Sequence, residues 1–133
     1  MHLPIKHFTA AVVFCAFVAT STNSHGQSAE SINYKTDEAI AYRKSSEPYI
    51  SKMCLLDIHY PVDIKDFPTV VWFHGGGLTS GKRDVPEQLS KQGIAVVAVE
   101  YRLSPKVKVV DCIDDASAAV AWTFANIKKY GGS

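Results

Sequence analysis

Apolar and polar residues alternate between positions 53 and 60. Cys54, Leu56, Ile58 and Tyr60 fall on one side of the alternation, and Leu55, Asp57 and His59 on the other. A period of two predicts a strand with one buried face, and Pro61-Val62-Asp63 ends it. After Pro68 the run Thr69-Val70-Val71-Trp72-Phe73 is short and continuously apolar. That pattern predicts a strand buried on both faces. Residues 94–99 predict another, rich in β-branched side chains. Between these two lies the punctuation of a helix. Asp84 stands at the cap, Pro86 in the first turn, Glu87 three residues after the cap and Gly93 just past the end. A longer helix is expected over residues 111–130. Ile113, Ala116, Val120, Phe124 and Ile127 make an apolar stripe at spacings of three and four. Asp111, Asp114 and Asp115 near its start and Lys128 and Lys129 near its end suit the helix dipole, and Gly131 suits the position after its last turn.

Residues 27–51 are polar and lack a clean period, although they include Tyr34, Ile40, Tyr42 and Tyr49. They read as a lead-in with at most one short strand or turn. The order is therefore strand, strand, helix, strand, helix. Short apolar strands alternating with helices predict an α/β fold with a mostly parallel sheet and flanking helices.

The 133 residues allow one domain, and their net charge of +1 carries no run of one sign. Nothing points to nucleic acid or to an anionic membrane surface. Residues 1–26 read as a cleaved secretory signal, with a membrane anchor and an internal apolar helix as rival readings. Lys6 gives a weakly basic start, an uncharged run over residues 8–20 follows, and Ser24 and Gly26 are small residues before a cut. The run is too short for a spanning helix, which takes about 20 residues. The expected organisation is a signal over 1–26, the lead-in over 27–51 and one domain from 52 to 133. The mature chain would be exported, periplasmic or extracellular, with no transmembrane segment. It would keep Cys54 and Cys112, which could pair in an oxidising compartment or serve as two small buried hydrophobes.

The chemistry concentrates at His74-Gly75-Gly76-Gly77, directly after the 69–73 strand. Consecutive glycines are costly to order, so they imply an unusual turn or a backbone that must approach a ligand. Exposed backbone N–H groups stabilise the negative oxygen of an ester-cleaving intermediate. A phosphate loop does not fit, because Lys82 is followed by Arg83 rather than Ser or Thr. No histidine or cysteine spacing suggests a metal site, and no cofactor is expected.

The succession of strand, His-Gly-Gly-Gly, capped helix and a strand running into Tyr101-Arg102-Leu103-Ser104-Pro105 resembles the α/β-hydrolase esterase/lipase family. The likeness extends to its hormone-sensitive-lipase-like and acetyl-xylan or feruloyl esterase-like branches. Leu56-Asp57-Ile58-His59-Tyr60-Pro61 resembles the family's first-strand signature. Asp114-Asp115-Ala116 with Ala121-Trp122 resembles its second helix, and Lys129-Tyr130-Gly131-Gly132 the approach to the strand that carries the nucleophile. Lys106 stands where hormone-sensitive-lipase-like members often carry an acid. The resemblance implies an incomplete α/β-hydrolase fold. It implies that the Gly76 and Gly77 N–H groups are oxyanion donors, with His74 and Gly75 supporting the loop. It also implies a small-molecule or polysaccharide-linked ester as substrate.

The family's elbow, Gly-x-Ser-x-Gly, is absent, and with it the acid and histidine that follow. In Gly77-Leu78-Thr79-Ser80-Gly81 the serine stands one residue late, so Ser80 reads as a loop hydroxyl. Ser104 is followed by Pro105 and Ser133 is the last residue. His59 reads as a sheet histidine, and Arg102 and Asp115 as structural ion pairs or caps. The family's strand order would leave residues 70–73 on an open apolar edge, a site of self-association. The expectation is an N-terminal fragment of an exported serine carboxylic ester hydrolase, inactive alone. A non-catalytic truncated product or binding module, and an exported serine peptidase of the same fold, are the rivals.

Overall fold

The computed structural model describes residues 31–133. The expected signal over 1–26 lies outside them. The described elements are β1 (Tyr34–Ala41), α1 (Pro48–Met53), β2 (Leu55–Pro61), β3 (Thr69–Phe73), β4 (Ala95–Val99) and α2 (Val109–Tyr130). The strands form one sheet in the order β1-β2-β4-β3. β3 and β4 run parallel, whereas β1–β2 and β2–β4 are antiparallel. The mostly parallel sheet expected from the element order is thus a mixed one. Only β3 and β4 are separated by a crossover that returns the chain in the same direction.

β4 lies between β2 and β3 and is fully buried at all five positions. This explains its composition: a strand covered on both faces is apolar throughout. β2 buries Leu56 and Ile58 on one face together with Cys54 just ahead of it, and leaves Asp57 and His59 half-exposed. The alternation read from the sequence is therefore the real one. Each fully buried Leu or Ile contributes roughly 1.5–3 kcal/mol. β3 is the outer strand of the described sheet, so its residues are half-buried and Trp72 is exposed. That corrects the expectation of burial on both faces, which requires a packed layer over each face of the strand. Beside the start of β3, Gly132 forms a parallel bridge to Phe67, and the Ser133 N–H donates to the Phe67 carbonyl at 3.0 Å.

The polar stretch before β2 is more ordered than its composition suggests. β1 hides its period because its register shifts between Asp37 and Ile40, with Ala39 at a φ of 56°. α1 follows, and the Glu47 carboxylate caps it by accepting from the Tyr49 and Ile50 N–H groups at 2.9 and 2.7 Å.

The helix expected between Asp84 and Gly93 is only a 3-10 turn over Glu87–Leu89. Pro86 and Ser90 on either side are extended, with ψ of 134° and 139°. The turn buries no residue, and without an apolar face to bury, capping signals cannot sustain a helix. The long helix is present, but rotated from its expected face. Its buried residues are Cys112, Asp115, Ala119, Thr123 and Ile127. Of the stripe read from the sequence only Ile127 is buried, while Ile113 is 60% and Phe124 82% exposed. Small and polar side chains let α2 lie close on the sheet, and two of the large apolar ones face outward. Cys54 and Cys112 are both buried and free, so the pairing weighed from the sequence is absent.

Candidate active-site loop

β3 delivers the chain to His74, which is buried at 6% exposure, and the three following glycines are exposed. The loop reverses sharply. Gly76 has a φ of 122°, Gly77 of 62° and Leu78 of 63°. Gly76 admits no side chain, because a Cβ there would overlap the Ser80 carbonyl.

Two carbonyls fix the planes of the peptides in this turn. The Gly75 carbonyl faces His74 Nδ1 at 2.9 Å. The Gly76 carbonyl accepts from the N–H groups of Thr79 and Ser80 at 3.1 and 3.2 Å and from both their hydroxyls. A trans peptide holds its N–H opposite its carbonyl. Anchoring the Gly75 carbonyl inward therefore turns the Gly76 N–H outward, and anchoring the Gly76 carbonyl does the same for Gly77. Among the described residues neither N–H has an acceptor. The loop thus presents adjacent, oriented and unpaired donors, an arrangement suited to an anionic oxygen.

His74 is held from several sides. Its Nε2 lies 3.0 Å from Glu100 Oε1. Its ring stacks on Tyr101 with centroids 4.5 Å apart, and the Tyr101 hydroxyl donates to the His74 carbonyl at 2.8 Å. Glu100 Oε2 accepts from the Arg83 N–H at 3.1 Å, and Arg83 Nε donates to Asp57 Oδ1 at 2.8 Å. The end of the loop is tied down where the Ser104 N–H donates to the Leu78 carbonyl at 2.8 Å. Burial raises the Tyr101 phenol above its ordinary value, so its hydroxyl remains a donor.

The structure therefore brings together His74, Gly75, Gly76 and Gly77, the residues singled out in the sequence. It adds Glu100, Tyr101 and Arg83, which sequence reasoning missed. A charged residue ending an otherwise apolar buried strand was the available signal for Glu100. The other singled-out residues are structural. Ser80 braces the loop through the Gly76 carbonyl. His59 stacks on Tyr34 and bonds to the Thr36 and Ser90 hydroxyls at 2.9 and 3.2 Å. Arg102 forks onto buried Asp115 at 2.7 and 2.8 Å, joined by Arg43 Nε at 3.0 Å. Lys106 lies over the Tyr49 ring at 5.2 Å. No cluster of candidate metal ligands occurs among the described residues, and none of their helices is long and apolar enough to cross a membrane.

A family model described as BD-FAE matches residues 56–133, more than half of the chain. The chain belongs to the BD-FAE family. The match begins at Leu56, takes in the whole loop and ends with α2 and the residues after it. Membership places the chain among α/β-hydrolase esterases, and its relatives agree. It is 35% identical over 82 residues to the carboxylesterase NlhH of Mycobacterium tuberculosis, covering 56% of this chain and 25% of NlhH. It is 34% identical over 74 residues to the esterase LipI of the same organism, covering 52% of this chain and 23% of LipI. Among solved structures it is similar to esterase B of Lactobacillus rhamnosis, with a TM-score of 0.65 and 28% identity over 75% of this chain and 32% of that one. A thermostable esterase from Pseudomonas putida gives a TM-score of 0.54 at 25% identity, over 77% and 32%. The chain spans about a quarter of the length of the curated relatives named here. The BD-FAE match and these neighbours agree with a mixed sheet and flanking helices that form part of an α/β-hydrolase.

Proposed function

We propose that this chain is the N-terminal part of an exported serine carboxylic ester hydrolase, and that its loop supplies the oxyanion donors. The carrying observation is the pair of pinned peptide planes that turn the Gly76 and Gly77 N–H groups outward without acceptors. Those two groups would hold the oxygen of the tetrahedral intermediate, with His74 and Gly75 shaping the loop. Loss of one such donor in a working hydrolase costs a factor of about 10²–10³ in turnover. The nucleophile, acid and base belong to the remainder of the protein, which the relatives' lengths support. The substrate class is a small ester, in keeping with relatives named carboxylesterase and esterase. Export rests on the character of residues 1–26, and an ester carried on a polysaccharide is the substrate that export favours.

Two assays test this reading. The 133-residue chain should show no turnover of p-nitrophenyl acetate above buffer. The longer gene product should hydrolyse it and be silenced by a serine-directed phosphonate. Turnover by the 133-residue chain that the phosphonate does not touch overturns the assignment. A longer product that cleaves peptides and not esters would make it a peptidase instead.

A further inference from the structure

A small apolar cup opens at the rim of the glycine loop. Its volume is about 120 Å³, and Phe73, Leu78, Tyr101, Cys112, Ile113 and Ala116 line it. Three of these residues belong to the framework of the loop itself. Phe73 immediately precedes His74, Leu78 immediately follows Gly77, and the Tyr101 ring stacks on His74. Only two of the lining side chains carry a polar atom, and each is turned to a backbone partner. The Tyr101 hydroxyl donates to the His74 carbonyl at 2.8 Å, and Cys112 Sγ lies 3.6 Å from the Lys108 carbonyl. What the cup presents is therefore apolar. Ala116 leaves room on the side of α2, and Ile113 is 60% exposed, an apolar surface whose burial is favourable. A dry cavity of about 150 Å³ takes the six carbons of benzene, so a cup of about 120 Å³ holds roughly four or five.

We propose that this cup is an acyl subsite: with an ester's carbonyl oxygen on the Gly76 and Gly77 N–H groups, the acyl chain lies over Leu78 and against Ile113 and Ala116. Straight chains of about four or five carbons are the ligand class, since longer ones run out of the cup. The donor at Gly77 and the apolar wall at Leu78 sit on consecutive residues, whose Cα atoms are about 3.8 Å apart. An acyl chain is bonded to the same carbon as the oxygen that the donors would hold, so the two features meet one ligand. The φ of 63° at Leu78 and the Ser104 N–H on its carbonyl fix the backbone from which that side chain projects. The acyl role rests on the esterase reading given above. Binding of an alkyl chain joined to an anion does not.

A titration that needs no turnover tests the alkyl site. Methylphosphonate and n-butylphosphonate are added separately to the full chain, with its leucine and isoleucine methyls labelled with ¹³C. Each buried methylene is worth about fourfold in affinity, so n-butylphosphonate should bind at least about fourfold tighter. It should also shift the methyls of Leu78 and Ile113, which methylphosphonate leaves in place. Ala116→Leu should erase the difference by filling the cup. A smaller ratio in the unaltered chain overturns the proposal, and so does a tighter n-butyl ligand that leaves both methyls in place, whether or not the variant folds. The longer gene product tests the acyl role. Its kcat/KM for p-nitrophenyl esters should rise from acetate to butyrate and gain nothing from hexanoate to octanoate, and Ala116→Leu should lower the ratio of butyrate to acetate. A rise that continues through octanoate, or a ratio that Ala116→Leu leaves unchanged, removes the acyl role and assigns the cup to side chains of the longer protein. Hydrolysis of no ester at all overturns the esterase reading and the acyl role with it, while the alkyl site stands or falls with the titration.

Discussion

Gly81 lies against the edge of the His74 ring, so close that a Cβ on it would overlap Nδ1 and stand 2.7 Å from Cε1. Its φ of 111° is one that side chains rarely adopt. The glycine loop therefore closes on its own histidine four residues after it has turned. The motif that shapes this site runs through residue 81, beyond the glycine triplet.

Gly81→Ala should accordingly destabilise the chain by about 1–3 kcal/mol, the range for forcing atoms into an occupied space. Gly75→Ala is the matched control, because a Cβ there meets nothing within 4 Å. It should change stability by no more than about 0.5 kcal/mol, as ordinary surface substitutions do. Urea unfolding of the two variants side by side checks this, and equal effects would show that the loop does not close on His74.

The rotation of α2 makes a second pair. Ile127 is 5% and Phe124 82% exposed. Ile127→Ala should cost about 2–5 kcal/mol, whereas Phe124→Gln should cost less than about 0.5 kcal/mol in this chain. If the two exchanged places in a thermal melt, the helix would face the sheet with the stripe read from the sequence instead.

Asp115 is fully buried between Arg102 and Arg43. Hydrogen bonding to its carboxylate raises the Arg102 guanidinium still further, so that side chain is charged at any working pH. Asp115→Ala would leave that half-buried charge without its partner, which costs up to about 3 kcal/mol, the lower end for a broken buried pair. Replacing Arg43 as well should cost less than the sum of the single changes, since both arginines share one carboxylate. A double-mutant cycle measured by denaturant unfolding would show additive losses if the three did not form one unit.

Stability should fall on both sides of neutrality. Burial pushes the Cys54 thiol up to about 11 from its ordinary 9.0. The unfolded chain then ionises first, so the contribution is intact below pH 9 and is lost as pH rises toward 11, on the order of 2 kcal/mol in all. Burial also raises the phenols of Tyr42, Tyr101 and Tyr130 from 10.0, which extends the decline above that value. On the acid side, burial and then the charge of Lys91 hold His59 below its ordinary 6.5. Its neutral form is favoured in the fold, so that contribution is present above 6.5 and fades as pH drops through the lower, folded value. Urea midpoints across pH give the profile. Cys54→Ala should flatten the first alkaline limb whatever it does to absolute stability, and an unchanged slope above pH 9 would assign that limb to the tyrosines.

β2, β3 and β4 were legible in the sequence because each carries a short-range apolar pattern, which burial enforces on β2 and β4. Alternation marks the one-sided strand β2, and continuous apolar runs mark β3 and β4. The glycine loop was legible because three glycines after such a strand have few other uses. α2 was legible in extent, from its dipole-matched charges and terminal glycine. Its facing was not, because the stripe of Ile113 and Phe124 and the face of Cys112, Asp115, Ala119 and Thr123 are both continuous on a helix. Only the sheet decides between them, by admitting small side chains and the Arg102–Asp115 pair. The helix over residues 84–93 was misread because caps report where a helix could begin, and packing decides whether it forms. β1 was obscured by a shift in its own register. The sequence by itself determined which backbone would carry the donors. The tertiary structure decided how the His74 ring that faces the Gly75 carbonyl is held, because its partners Glu100 and Tyr101 lie 26 and 27 residues away along the chain. A distance of that kind leaves no periodic trace in the sequence.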